Sequence, residues 1–428
     1  MTPSPRRVAI VGGVRIPFAR AHGAYGEATN QEMLTAAFKG LISRFDLNGQ
    51  KIGEVAAGAV IKHSRDWNLA REAALGSGLH PETPAYDVQR ACGTSLTAAI
   101  QVAHRIAAGE IDCGIAGGVD SASDIPLAYG RDLQKLVLSS ARGRSLLEKT
   151  RPWLGLRPGH LKPFAPGIAE PRTGLSMGEH AEETAKEWGV GRAEQDALAL
   201  ESHRNAAAAW KAGFFGDLVV PFNDLAHDNN VRPDTSLEKL SALRTAFDRS
   251  AAGTLTAGNS SPLTDGAACV LLSSEDFARN RGWPVLAYLT HSETTAVDFV
   301  GRSGTKEGLL MAPVYAVPRM LDRAGLKLQD FDLYEIHEAF AAQVLCTLKA
   351  WESEQYCSAR LQRPALGAID RARLNPKGSS VAIGHPFAAT GARILATAAK
   401  QLAQRGSGRA LISICAAGGM GVTAILEG

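Results

Sequence analysis

Residues 89–109 read QRACGTSLTAAIQVAHRIAAG. From Leu96 onward small and apolar residues recur at helical spacing, and Gly109 supplies a stop, so the spacing predicts a helix that starts just after Cys92. Free N–H groups and the positive dipole end at a helix start favour an anion. A free thiol titrates near about 8.5, and this position is expected to draw Cys92 toward neutrality and thiolate character. A buried cysteine acting as a small hydrophobe is the plainer reading and stays open at this point.

Working outward, the stretch has a counterpart. In each half of the chain a helix leads into a strand, then a small-residue helix, then a strand ending in Gly-Gly: DCGIAGG at 112–118 and ISICAAGG at 412–419. The small-residue helix of the first half follows Cys92; that of the second follows GHPFAATGAR at 384–393. RVAIVGG, GEVAAGAV and CGIAGG read as buried strands, with EMLTAAFKGLISRF helical between the first two. VLAYLTH, FDLYEIHEAF and ALISICAAGG read as strands of the second half, with helices in YAVPRMLDRAG and ATGARILATAAKQLAQRG. The pattern is a degenerate internal repeat, and duplicated α/β halves set their functional loops at corresponding strand ends. Residues 121–250, rich in Pro, Arg and helix-like charge, break it and read as an inserted lid. The expected division is 1–120 with 251–275 as the first half, 121–250 as the lid, and 276–428 as the second half.

Composition agrees with a packed α/β enzyme: 428 residues, 44 of them Gly, and 45% hydrophobic. A net charge of +3 is too near neutral to imply nucleic acid. The six cysteines (92, 113, 269, 346, 357 and 415) are scattered, and neither a disulfide framework nor a zinc knuckle is written in their spacing. VAIVGGV is too short for a signal-peptide core, and no apolar stretch reaches the roughly 20 residues of a membrane span. The expectation is a soluble cytoplasmic protein.

Two motifs mislead. GLSMG at 174–178 matches G-x-S-x-G, but the Pro-rich FAPGIAEPRT before it cannot be the strand that a nucleophilic Ser176 requires. HEAFA at 337–341 begins like a zinc-protease motif, yet position 341 is alanine rather than a second histidine. No G-x-G-x-x-G follows the first strand, which argues against a dinucleotide site. His385, between Gly384 and Pro386 ahead of a helix, is poorly suited to a core role. Cys415 ends a buried strand beside a glycine turn whose N–H groups can face a ligand.

Together these pieces resemble the thiolase family. QRACGTSLTAA is similar to its acyl-enzyme cysteine stretch. GTLTAGNSSPLTDGAA (253–268), HEAFAAQ, GHPFAATGAR and CAAGGMG are similar to its other signatures, in family order and spacing over nearly the whole chain. The resemblance implies a duplicated α/β thiolase fold, layered α-β-α-β-α, with an inserted lid. Departures narrow it. His337 stands where many thiolases have Asn-Glu-Ala-Phe, Ala388 replaces a usual glycine, Pro262 a small residue, and Ser176 an often-histidine lid position. His-Glu-Ala-Phe and the long segment before SMGEHAEE resemble the thiolase subunit of the trifunctional β-oxidation complex. A degradative 3-ketoacyl-CoA thiolase is therefore expected over a biosynthetic acetoacetyl-CoA thiolase.

The resemblance also implies roles. Cys92 attacks a 3-ketoacyl-CoA and becomes an acyl-enzyme, His385 takes its proton, and Cys415 serves the acetyl-CoA enolate. His385 with His337, through a water, would form one oxyanion site; the N–H groups of Cys92 and Ala417 would form the other. Met177, Arg232, Phe247, Ala257, Ser260, Ser261 and Phe340 are expected around CoA, a substrate here, with no metal or redox cofactor required; Lys239 is left open. A β-ketoacyl synthase shares the duplicated fold and a Cys-His-His set but lacks a second cysteine such as Cys415. A non-catalytic thiolase-like binding subunit would have no reason to keep both cysteines and both histidines. A homodimer or homotetramer is the family's expectation. Residues 131–162 hold eight Lys or Arg against Asp132 and Glu148, a net of +6, with leucines near helical spacing. That segment is expected to dock a hydratase–dehydrogenase α-subunit or lie peripherally on a membrane.

Overall fold

The computed structural model describes residues 5–165 and 167–428. Nine principal strands carry the architecture: β1 Val8–Arg15, β2 Glu54–Ala57, β3 Ala85–Asp87, β4 Cys113–Asp120, β5 Thr264–Ser274, β6 Ala287–Ala296, β7 Leu333–Ile336, β8 Arg409–Ala416 and β9 Met420–Glu427. The helices that matter here are α1 Asn30–Arg44, α2 Leu69–Ser77, α3 Thr94–Ala107, α4 Arg131–Arg142, α5 Met177–Glu187, α6 Arg192–Lys211, α7 Ala312–Ala324, α8 Ala341–Glu352 and α9 Thr390–Arg405.

The internal repeat is visible in the pairing. In the first half β2 lies parallel to β4, β4 antiparallel to β5, and β5 antiparallel to β1. The second half repeats this order: β7 parallel to β8, β8 antiparallel to β9, β9 antiparallel to β6. The halves join where β1 meets β6, with Ala9 opposite Tyr288 and Ile10 opposite Ala287.

Alternation along these strands sorts side chains into separate cores. Ile10, Ala116, Val270 and Leu272 of the first half, and Ile412, Ile414, Ala424 and Leu426 of the second, face a shared core built on α3 and α9. Val11, Val14, Ile115 and Leu271 face the other way, onto α1 and α2. Leu411, Cys415 and Ile425 face α7 and α8. The result is five layers, α-β-α-β-α. The two central helices touch closely: Ala392 N donates to Ser95 Oγ at 2.8 Å, and a Cβ on Gly391 would fall 2.4 Å from Leu96 N. Only small residues allow that approach, which is why both helices are rich in alanine.

Helix α3 begins two residues after Cys92, as its sequence predicts, and Gly109 takes φ +79° just beyond its end. Between Asp120 and Thr264 none of the described residues adds a strand to the main sheet. Among the described residues no helix is long and apolar enough to cross a membrane.

Candidate active site

Cys92 sits on a tight turn between β3 and α3. Ala91 has φ +43°, a left-handed conformation that costs a residue bearing a Cβ roughly 1–3 kcal/mol. Thr94 holds it there: its Oγ1 accepts from Arg90 N at 2.8 Å and donates to Ala91 O at 2.7 Å. Of the six cysteines, Cys92 alone is not fully buried.

The other three side chains come from the second half. His337 follows β7 and is completely buried, its backbone N donating to Ser413 O at 2.8 Å. His385 follows Gly384, whose φ of +113° and close neighbours (a Cβ would meet Asn230 Nδ2 at 2.7 Å) demand glycine. His385 N donates to Thr264 Oγ1 at 3.1 Å. Cys415 lies near the end of β8 opposite Gly421, and the turn after it carries Gly418 and Gly419 with positive φ.

These elements converge. His385 Nε2 is 3.1 Å from Cys92 Sγ, across 293 residues of chain, and its Nδ1 is 2.6 Å from Thr390 Oγ1. The His337 and His385 rings lie 4.2 Å apart between centroids. Cys92 Sγ and one nitrogen from each ring fall within 4.8 Å of one another. The N–H groups of Ala417 and of Cys92 itself favour negative charge on the Cys92 sulfur. His337 Nδ1 lies 2.8 Å from Ser380 Oγ, while its Nε2 is buried without a partner.

Charge at the site corrects one expectation. Burial pushes the Cys92 thiol up to about 12, outweighing the lowering hydrogen bond from Ala417. Burial brings His385 down to about 3, with Arg393 adding to the effect. Burial first, then His385 and Arg393, hold His337 well below the usual imidazole range. Burial, reinforced by charge on Cys92, holds Cys415 well above the usual thiol range. The helix start does not draw Cys92 toward neutrality, because desolvation of a thiolate exceeds what one helix end returns. The resting pair is a neutral thiol hydrogen-bonded to a neutral imidazole.

A cavity of about 720 Å³ is lined by Arg232, Phe247, Ala257, Ser260 and Ser261, five of the seven residues expected around CoA. Met177 and Phe340 stand behind that wall with Phe247; the two phenylalanine rings meet edge to face at 5.7 Å. The wall joins His385 and Phe340 through the backbone, since Leu263 bridges to His385 and Ser260 to Phe340. Ser176 is an N-cap: it accepts from Glu179 N at 3.3 Å and donates to the Glu179 carboxylate at 2.7 Å, which leaves it no hydrolytic role. Lys239 pairs with Asp234 at the surface, at 2.7 Å.

Several residues lining the cavity or supporting the site were not legible in sequence. Arg20, His22 and His203 line the same cavity, and His203 Nδ1 accepts from Arg232 N at 3.1 Å. Asp120, fully buried, accepts from Ile61 N at 2.7 Å and from Ala388 N at 2.8 Å, tying the His385 loop to the first half; burial raises its carboxyl to about 7. Arg393 and Ser380 lie beneath His337. Their only sequence signal was a charged or hydroxyl residue in an otherwise apolar run.

The comparisons with known proteins agree with this geometry. A family model described as "Thiolase, N-terminal domain" matches residues 8–276, and one described as "Thiolase, C-terminal domain" matches residues 289–428. The chain is 44% identical over 428 residues to the 3-ketoacyl-CoA thiolase of Pectobacterium carotovorum subsp. carotovorum (strain PC1), covering 98% of this chain and 96% of that one. It is 42% identical to the 3-ketoacyl-CoA thiolase of Yersinia pestis (strain Pestoides F), covering 98% and 97%. The crystal structure of the Bacillus anthracis acetyl-CoA acetyltransferase superposes with a TM-score of 0.82 at 30% identity, covering 99% of each chain.

Proposed function

The chain belongs to the thiolase family, and from that premise we propose how its site works. The protein is a degradative 3-ketoacyl-CoA thiolase, an acyltransferase that cleaves 3-ketoacyl-CoA to acetyl-CoA and an acyl-CoA shortened by two carbons. CoA is its second substrate. The observation that carries the reading is the Cys92 Sγ to His385 Nε2 contact of 3.1 Å.

As Cys92 Sγ attacks the 3-keto carbon, its proton passes to His385 Nε2. The oxygen that gains charge is met by the N–H groups of Cys92 and Ala417. Collapse breaks the C2–C3 bond, leaving the acyl group on Cys92 and the electron pair on acetyl-CoA as an enolate. His337 and His385 face the enolate oxygen, and the Cys415 thiol delivers the proton to C2. The CoA thiol then attacks the acyl-enzyme, its proton passing to the Cys415 thiolate while His385 returns its proton to the Cys92 sulfur as the new thioester leaves. Because neither thiol is ionised at rest, each proton moves only as the carbonyl chemistry calls for it. Arg232, with Arg20 and His22 on the same cavity, holds the CoA phosphates, while Phe247, Ala257, Ser260 and Ser261 flank the pantetheine, backed by Met177 and Phe340.

Residues 1–120 with 251–275 and residues 276–428 are the two halves of the catalytic body, and 121–250 is the lid. The repeated strand order supports this division. Six free thiols suit a reducing cytoplasm, and β-oxidation is the pathway that consumes this activity. Thiolysis of acetoacetyl-CoA and of a long 3-ketoacyl-CoA, followed by acetyl-CoA formation, is the direct test. Consumption of neither substrate in the presence of CoA overturns the assignment.

A homodimer or homotetramer is the proposed assembly, with a further docking surface on the lid. Leu133 turns inward, but Val137, Leu138, Leu146, Leu147, Leu154 and Ile168 are exposed in the basic segment and just beyond it. This subdomain closes on itself: Trp153 Nε1 donates to Ser140 Oγ at 2.9 Å and Ser140 Oγ to Lys149 O at 2.7 Å. Apolar side chains ringed by cations fit a hydratase–dehydrogenase α-subunit or an anionic membrane surface. Neutralising Arg142, Arg144, Lys149 and Arg151 is expected to remove salt-sensitive binding and leave thiolysis of acetoacetyl-CoA unchanged. Pull-down with a candidate α-subunit and co-sedimentation with anionic vesicles, each at low and high salt, check this. If wild type binds neither at low salt, the segment is only a lid.

A further inference from the structure

His337 is uncharged in its buried site, so one ring nitrogen carries a proton and the other a lone pair. Which one is decided by Ser380. Its Oγ accepts an N–H from Arg393 at 2.8 Å and lies 2.8 Å from His337 Nδ1. Arg393 is itself buried, 1% exposed, and a guanidinium can only donate. Ser380 Oγ has a second lone pair, but accepting an Nδ1–H there would leave the hydroxyl proton with no acceptor among the described residues, so the hydroxyl donates to His337 Nδ1. The ring proton is then on Nε2. That nitrogen is buried and without a partner among the described residues, an N–H held without an acceptor until a substrate oxygen arrives.

We propose that Ser380, oriented by Arg393, is a positioning residue that fixes His337 as its Nε2–H tautomer, so that this N–H meets the enolate oxygen. The inference rests on the thiolysis reading above. His385 must hold the opposite tautomer: its Nδ1–H donates to Thr390 Oγ1 and its Nε2 lone pair accepts from Cys92. Two rings 4.2 Å apart thus present one donor and one acceptor, each set by its own hydroxyl partner. Were His337 to flip its tautomer, its lone pair would face the developing negative charge, and only the His385 Nε2–H gained from Cys92 would remain to donate. An asparagine at position 337 would need no such partner, because an amide always carries its donor.

Thiolysis kinetics of Ser380→Ala and Ser380→Thr, made in the wild type and in His337→Asn, test this, together with NMR of wild-type protein labelled with ¹⁵N in its histidine rings. Ser380→Ala is expected to lower kcat about 10- to 100-fold. KM for CoA should stay within about twofold, since the lost interaction belongs to the transition state. Ser380→Thr restores most of kcat. In the His337→Asn background, Ser380→Ala changes kcat by less than about twofold, since the two residues act as one unit. The resonances that vanish in His337→Asn report Nε2 protonated in the wild type. Unchanged kcat in Ser380→Ala, an equal loss in the His337→Asn background, or an Nδ1-protonated His337 each overturns the proposal. If Ser380→Ala does not fold, the wild-type spectrum and Ser380→Thr still decide it. A wild type without thiolysis sinks the functional reading, while the spectrum judges the tautomer separately.

Discussion

Cys92→Ala is expected to lower thiolysis by at least about 10⁴-fold, the scale seen when a covalent nucleophile is deleted. The fold should survive, because Cys92 is only partly buried and the strained turn is held by Thr94 rather than by the thiol. Mass spectrometry after incubation with an acyl-CoA donor should show an adduct on Cys92 in wild type and none in the variant. Iodoacetamide should label Cys92 first, since it is the one cysteine of six with open surface. The pH profile of labelling carries more information than its order. With the thiol raised to about 12, the thiolate is scarce at neutrality and grows with each unit of pH. Labelling should therefore accelerate from pH 7 to 9 without levelling off. A plateau near neutrality would mean a preformed thiolate–imidazolium pair, and a different cysteine reacting first with loss of activity would remove Cys92 from its role.

Cys415→Ala should separate two steps that Cys92→Ala abolishes together. Turnover is expected to fall about 10³-fold, within the range of a lost general acid–base group. Acylation of Cys92 by a reactive acyl donor should fall by less than about tenfold, since Cys415 serves the enolate and not the first thiol. Cys415 is buried on the α8 side of β8, and both burial and charge on Cys92 keep it protonated. A group in that state can give a proton to C2 and cannot compete as the nucleophile. Intact-mass analysis of the acyl-enzyme beside steady-state thiolysis gives both numbers. Equal losses in acylation and turnover would falsify this division of labour.

The sequence by itself determined the elements and the chemistry they carry. The repeat was readable because each half spells the same local instructions: a buried strand ending in Gly-Gly and a small-residue helix started by a turn. Cys92, His385 and Cys415 stand at such punctuation points, but their expected roles, and that of His337, came from the resemblance to the thiolase family rather than from local propensity. Tertiary structure alone decided what those residues meet. The β1–β6 junction and the α3–α9 contact bring Cys92 and His385 within 3.1 Å across 293 residues, and no local period encodes that pairing. The sign of the Cys92 shift was misread from the helix start for the same reason. A dipole is a property of one segment, whereas desolvation sums over every group packed around the sulfur. Asp120, Ser380 and Arg393 were silent in the chain because a buried polar residue acquires a role only from its partners, and those partners arrive from other elements of the fold.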